Sequence, residues 1–264
     1  MIVFNSLKFF RLLKADILLA LILMLTPMDS GLLWLVNFDE RLGADYAPQN
    51  LAHINGYRIR SETKEAYERM LKDMEKVGIS VNLQSAYRPY KYQQALLSRK
   101  ISNLQALGYS KSEAQLLATK TVAPPGASEH QLGLAIDISV DGKLDASFGN
   151  TEAGTWIANN CHHYGFIVRY PKDKTKITKI MYEPWHLRYV GLPHSAYMYE
   201  KNMCLEEYII HVQEAKLLMI WIDDGNYYKV SYSAKAPDAA EALDMSSFER
   251  GGAYIITEIG EYLK

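Results

Sequence analysis

Cysteine is scarce in this chain. Its two residues, Cys161 and Cys204, form neither a Cys-x-x-Cys pair nor a zinc-finger spacing, which excludes a thiolate zinc knot and a dithiol redox motif. Both read as buried thiols, with one disulfide as the alternative for an exported chain. An excess of either charge is also missing. With 29 Lys and Arg against 30 Asp and Glu, the net charge is −1, so no basic footprint is available for a nucleic-acid partner. Internal repeats and low-complexity runs are absent, so no repeat architecture is read.

Long apolar runs are missing except near the N-terminus. There Lys8, Arg11 and Lys14 precede the apolar stretch from Ile17 to Leu25, a basic region followed by a short apolar one, which is the layout of an export signal. The clean stretch is too short to span a bilayer. Ser30 is small enough to precede a cleavage point, Met28 is a weak partner for it, and no cysteine follows to carry a lipoprotein anchor. We expect residues 1–31 to be an export signal or membrane anchor. The protein is then exported and extracytoplasmic, with membrane contact through that segment.

What is present suits a folded domain. An apolar fraction of 48% against 22% charged supplies a core, and the length fits one medium domain with an appendage. Leu32 to Asn37 reads as a short buried strand, and Leu42 to Tyr57 as a loop punctuated by Gly43, Pro48, Asn50 and Gly56. Ser61 is the expected N-cap of a helix with Glu65 in its first turn, an inward stripe of Ala66, Met70, Met74 and Val77, and Gly78 as its stop. Residues 79–85 alternate with period two and predict a strand delivering Ser85, Tyr87 and Arg88 to its end. Helices over 90–107, 111–119 and 151–163, strands over 133–140 and 165–170, and an extended stretch before Pro184 follow. Lys172 to Lys176 reads as a solvated loop. Beyond Lys216 the strands 217–222, 227–232 and 254–257 are expected, the first two joined by a tight turn at Asp224-Gly225-Asn226. The pattern predicts an α+β fold: an antiparallel central sheet with flanking helices over 32–211, plus a small C-terminal β appendage over 212–264.

Three stretches carry chemistry: Ser85-Ala86-Tyr87-Arg88, the run from Ser128 to Asp137, and Glu183-Pro184-Trp185-His186. A catalytic zinc takes three protein ligands from His, Asp and Glu and leaves a position for water. His130, Asp137 and His186 fit as ligands of one zinc ion, and Glu183 fits as the non-ligand carboxylate that acts as base. Arg88 offers a fixed positive charge for an oxyanion or a substrate carboxylate. Gly133 and Ala135 let the first ligand loop turn tightly. Glu183 and His186 would face opposite ways on a straight strand, so the chain must bend at Pro184-Trp185 for both to reach one metal. The other histidines, His53, His162, His163, His194 and His211, read as structural. Neighbours such as Cys161-His162-His163 on a helix diverge by about 100° and do not share an ion.

As a set, Ser85, Tyr87, Arg88 and Gln93, then Ser128 to Asp137, then Glu183 to His186, resemble the motifs of the VanY-type D-alanyl-D-alanine carboxypeptidases. That family is related to lysostaphin-like peptidases and hedgehog domains. The resemblance covers about Leu32 to Tyr208 and includes Tyr164-Gly165-Phe166 and Leu187 to Gly191, while Pro89 stands where a small polar residue is usual. It implies a zinc peptidase acting on peptidoglycan stem peptides. His130, Asp137 and His186 are then expected to hold zinc, Glu183 to activate water and Arg88 to stabilise the oxyanion. Ser128 is expected to hold the terminal carboxylate, with Ser85, Tyr87 and Gln93 lining the pocket. An L,D-carboxypeptidase, a muropeptide endopeptidase and a catalytically silent zinc-containing wall-binding module are the alternatives.

Overall fold

Alternation along one short strand sets the two faces on which the domain is built. In chain order, the unit Leu32–Glu214 contains a hairpin of β1 (Leu51–Ile54) and β2 (Tyr57–Arg60), helix α1 (Ser61–Lys76), β3 (Asn82–Ser85), helices α2 (Tyr90–Ala106) and α3 (Lys111–Thr119), and β4 (Ala135–Ser139). Helix α4 (Glu152–Asn160), β5 (Phe166–Tyr170), β6 (Glu183–Tyr189), and helices α5 (His194–Glu200) and α6 (Leu205–Ala215) complete it. The computed structural model describes residues 30–221, 226–234, 244–247 and 253–261. The apolar stretch before Leu25 and the turn at Asp224-Gly225 lie outside the described residues.

The central sheet has the order β3-β4-β6-β5 with every pair antiparallel. Ile136 and Ile138 of β4 point to one face, and Ala135, Asp137 and Ser139 to the other. The register puts Leu83 opposite Ile138 and Leu187 opposite Ile136, which makes the first face an apolar row. Ala66, Tyr67, Met70 and Met74 of α1 and Ala153 and Ile157 of α4 close over it in one core cluster. Burial of each such isoleucine contributes ~2 kcal/mol. The opposite face is left for polar side chains.

Several sequence expectations change. No strand forms over 32–37. Leu33 and Val36 are buried there, but the backbone is satisfied by a side chain, because Arg188 Nη2 donates to the carbonyls of Leu32 (2.8 Å) and Trp34 (3.1 Å). The end of the expected 42–57 loop is the first strand of the β1–β2 hairpin, turned by Asn55 (φ 47) and Gly56 (φ 81), an Asn-Gly pair suited to a two-residue turn. Ser61 is the first helical residue, not the N-cap. Arg60 holds the cap position without a side-chain cap, and Ser61 N donates to Asn50 O instead. Val77 is 57% exposed because the helix has ended, and Thr63 and Tyr67 fill the inward face. Lys172 to Thr178 coils into a 3₁₀ turn and one α turn, with Lys174 Nζ 3.0 Å from Glu207.

The second unit, from Ala215 onward, is an antiparallel sheet of β7 (Leu217–Trp221), β8 (Asn226–Ser233), β9 (Asp244–Ser247) and β10 (Tyr254–Glu261), in the order β7-β8-β10-β9. Ile220 pairs with Tyr228 in register, and both are buried, as are Val230 and Ile255. Strand β9 has no counterpart among the strands that the sequence predicts.

Charges buried inside the first unit bind its parts together. Arg169 of β5 donates from Nε to Glu129 (2.8 Å) and through both terminal nitrogens to Glu206 of α6 (2.9 and 2.7 Å). Arg188 Nη1 stands 2.8 Å from the same Glu129 oxygen. Burial pushes the Glu129 carboxyl up, but Arg169 and Arg188 outweigh it and hold the group below its usual value. Its stabilising charge is present above the ordinary value of 4.5 and is lost as pH falls below it. We expect Glu129→Gln to cost about 3–5 kcal/mol, since it leaves two buried arginines under-compensated. Urea unfolding at neutral pH measures this, and a loss under about 1 kcal/mol would show that the knot carries little stability.

Candidate active site

Three strands set the polar side chains in a row. Ser85 of β3 lies opposite Asp137 of β4, and Asp137 lies opposite His186 of β6. A bulge between Leu83 and Ser85 brings β3 into this register. A larger one shapes β6: Val168 pairs with Leu187 and Tyr170 with Glu183, so a two-residue step along β5 answers a four-residue step along β6. This is the bend expected at Pro184-Trp185. It turns Glu183 to the same side as His186, and Glu183 Oε2 stands 3.6 Å from His186 Nδ1.

His130 comes from the 3₁₀ turn Glu129–Leu132, which Gly133 closes at φ 72. A Cβ on Gly133 would meet Arg60 Cγ at 3.0 Å and would also be strained at that φ, so the turn requires glycine. His130 Nδ1 lies 2.6 Å from the Ala86 carbonyl. A carbonyl only accepts, so Nδ1 carries the proton and Nε2 presents its lone pair to the site. Burial first, and Arg88 second, push the imidazole down to about 4, which keeps it neutral and able to ligate.

The geometry tests whether a cation fits. His130 Nε2 is 3.2 Å from Asp137 Oδ2, and His186 Nδ1 is 3.2 Å from Asp137 Oδ1. The ligand atoms of the three residues all lie within 4.8 Å of one another. Yet His130 Nε2 and Asp137 Oδ1 are buried without a hydrogen-bond partner. Two nitrogens and a carboxylate that converge without bonding to each other are what a divalent ion satisfies, and two His with one carboxylate form a catalytic zinc donor set. His130 and His186 hold the Asp137 carboxyl well below the usual range against the opposing effect of burial.

Arg88 and Ser128 stand beside this cluster. Arg88 Nη1 donates to Ser85 Oγ and Asp137 Oδ2, both at 3.1 Å, and its Nη2 reaches Ser128 Oγ at 3.5 Å. The Arg88 backbone N–H donates to His130 O, fixing the two stretches together. Burial, and then the Asp137 charge, hold the Glu183 carboxyl well above the usual range, with Arg88 opposing. Arg88, Ser128, Asp137, Glu183 and His186 share a cleft of about 320 Å³ with Leu96, Lys100, residues 121–123, Leu144, Tyr170, Ile180 and Trp185.

Two expected pocket residues are placed elsewhere. Tyr87 lies under Arg58, whose guanidinium carbon is 5.0 Å from the ring centre. Gln93 is buried and donates from Nε2 to Ala123 O at 2.8 Å, so it touches the cleft wall from behind. Glu129 and Tyr170 also stand at the site without a signal in the sequence. Glu129 looks like any turn glutamate in sequence, and its burial depends on arginines contributed by distant strands. Tyr170, the last residue of β5, has its ring centre 4.9 Å from that of His186.

A donor set of this kind belongs to zinc hydrolases that work through an activated water. Comparison with known proteins narrows the class. The profile of the VanY D-alanyl-D-alanine carboxypeptidase family matches residues 56–192, and this chain belongs to that family. A D-alanyl-D-alanine carboxypeptidase of Enterococcus faecalis is 39% identical over 175 residues, covering 66% of this chain and 64% of the relative. The match thus spans just under two thirds of that relative's length. Among solved structures, the vancomycin resistance D,D-pentapeptidase VanY from a VanB-type resistance cassette, in complex with Zn(II), is 38% identical with a TM-score of 0.62. It covers 69% of this chain and 99% of its own. The LdcB LD-carboxypeptidase is 36% identical with a TM-score of 0.61, covering 69% and 86%.

Zinc added to the metal-free chain at a hundredfold excess over Kd is expected to raise the thermal midpoint by about 5–10 °C. Asp137→Ala and His130→Ala should abolish the rise in a calorimetric scan. An undiminished shift in both variants would place the metal elsewhere.

Proposed function

We propose that this chain is a zinc D,D-carboxypeptidase that removes the terminal D-alanine from peptidoglycan stem peptides, outside the cytoplasm. The observation that carries the reading is the convergence of His130, Asp137 and His186 ligand atoms within 4.8 Å, with Asp137 and His186 lining a cleft shared by Glu183 and Arg88. Membership of the family supplies the substrate class. The basic and apolar stretch before Leu25 supports export and contact with the membrane.

When bound at these ligands, zinc supplies Lewis acidity and a nucleophile at neutral pH. The chain's own groups do the rest. Glu183 takes the proton of the attacking water on its carboxylate and returns it to the departing amine as the C–N bond breaks. A cation at the ligands acts on this carboxyl in the same sense as Arg88, favouring the ionised form that accepts a proton. Arg88, held by Ser85 and Asp137, turns Nη2 toward Ser128 and stabilises negative charge developing on the carbonyl oxygen. Ser128 Oγ holds the substrate's terminal carboxylate. Ser85 aims Arg88, Tyr87 braces the stretch against Arg58, and Gln93 fixes the wall at Ala123.

The zinc-loaded full-length chain should release one alanine from a pentapeptide muropeptide, followed by mass spectrometry. Glu183→Ala should lower kcat about 100- to 10,000-fold, and Arg88→Ala about 100-fold or more. Alanine lost only from the tetrapeptide would replace the D,D assignment with L,D, and an active Glu183→Ala chain would remove Glu183 as the base.

A further inference from the structure

One cation in the cleft has no part in the chemistry just described. Lys100 of α2 lines the same cleft as Arg88, Leu96 and Trp185, and it is exposed. Among the described residues it has no carboxylate partner, whereas Arg88 is committed to Ser85 and Asp137. Helix α2 begins at Tyr90, beside Arg88, and Lys100 lies ten residues further on. At 1.5 Å per residue that is ~15 Å along the axis. An extended peptide covers this distance in about four residues, and a lysine side chain reaches back along its own helix. With the scissile bond at Arg88 and the N-terminal side of the stem laid along α2, the ammonium would fall opposite the second or third residue before that bond. Leu96, Val122, Leu144 and Ile180 give the same cleft an apolar lining suited to methyl and methylene groups.

We propose that Lys100 is a specificity-determining residue that pairs with a free carboxylate carried by the stem two or three residues before the scissile bond. The proposal deepens the carboxypeptidase reading and rests on it. Stem peptides offer that chemistry from two sources. One is the side-chain carboxylate of a diaminodicarboxylic acid at the third position, where other stems carry lysine. The other is the α-carboxylate of the γ-linked glutamate at the second position.

The test measures equilibrium binding of three synthetic pentapeptide stems to the zinc-loaded Glu183→Gln chain, with kcat/KM of the wild type beside it. The first stem has both carboxylates free, the second has lysine at position three, and the third has the glutamate carboxylate amidated. We expect the stem that lacks the recognised carboxylate to bind about five- to tenfold more weakly, which identifies the source. Lys100→Met should bring that affinity ratio to about one, and Lys100→Glu should invert it. Because both stems are measured on the same variant, a folding defect cancels from the ratio. Equal affinities for all three stems, or a ratio unchanged in Lys100→Met, would overturn the proposal. If the ratio follows Lys100 but the wild type hydrolyses none of the stems, the carboxypeptidase reading fails and the carboxylate site stands. If no stem binds, both fall.

Discussion

The register of β4 against β6 is the constraint on which the rest of the site depends. Side chains alternate along a strand, so a slip of one residue would turn Asp137 toward α1 and Ile136 toward the cleft. That slip would bury a carboxylate among Tyr67, Met70 and Leu83, members of the core cluster that Ile136 now joins. The apolar pairs Leu83–Ile138 and Ile136–Leu187 therefore hold the polar row of Ser85, Asp137 and His186 in place from behind. The two bulges sit on either side of this locked pair. They re-aim Ser85 and Glu183 without disturbing the central register, which is how a regular sheet presents an irregular set of donors.

A second layer of buried charge stiffens the first. Glu129 directly precedes His130, and Arg188 lies two residues after His186, so the Glu129–Arg188 contact ties the two histidine-bearing segments together. Arg169 extends the tie to β5 and α6. Ligands held this way lose little freedom when a metal or substrate arrives, which is the condition for preorganised chemistry. Asp137 divides its carboxylate between neighbours: Oδ2 faces Arg88 and His130, and Oδ1 faces His186. One side chain thus sets the distance between the guanidinium and the ligand cluster.

The parts of this arrangement that were legible in the sequence are those with local signatures. Helix α1 shows its stripe of Ala66, Met70 and Met74, and β4 and β5 show their apolar runs. The bend at Pro184 could be inferred because Glu183 and His186 had to meet. Illegible parts were decided by partners far along the chain. Leu32 to Asn37 looks like a strand by its apolar residues, yet nothing in that segment reveals that Arg188 would satisfy its carbonyls. Gln93 falls in a motif and was expected in the pocket, but its helix turns it toward Ala123. The β1–β2 hairpin is a different case, since its Asn55-Gly56 turn is a hairpin signal in the sequence itself, set among Pro48, Asn50 and other loop-forming residues.

The cleft divides its labour between a rigid floor and a separate wall. The ligands Asp137 and His186 and the glutamate Glu183 project from the strands of one sheet, and the 3₁₀ turn with His130 is pinned to it through Ala86 and Arg88. The wall is built from α2 and residues 121–123. Gln93 Nε2 donating to Ala123 O joins its two parts, and Met181 N donating to Lys120 O at 3.4 Å ties it to the chain before β6. Substitutions in that wall can alter which peptide lies across the floor without moving a ligand. Relatives at 38% and 36% identity, one described as a D,D-pentapeptidase and the other as an LD-carboxypeptidase, fit such a division. On the proposed reading hydrolysis draws on the floor together with Arg88 and Ser128 beside it, whereas the choice of bond would fall to contacts with the wall. On the proposed reading, residues of the wall such as Lys100 and Leu96, and not the proposed ligand set, are where substrate preference would be set.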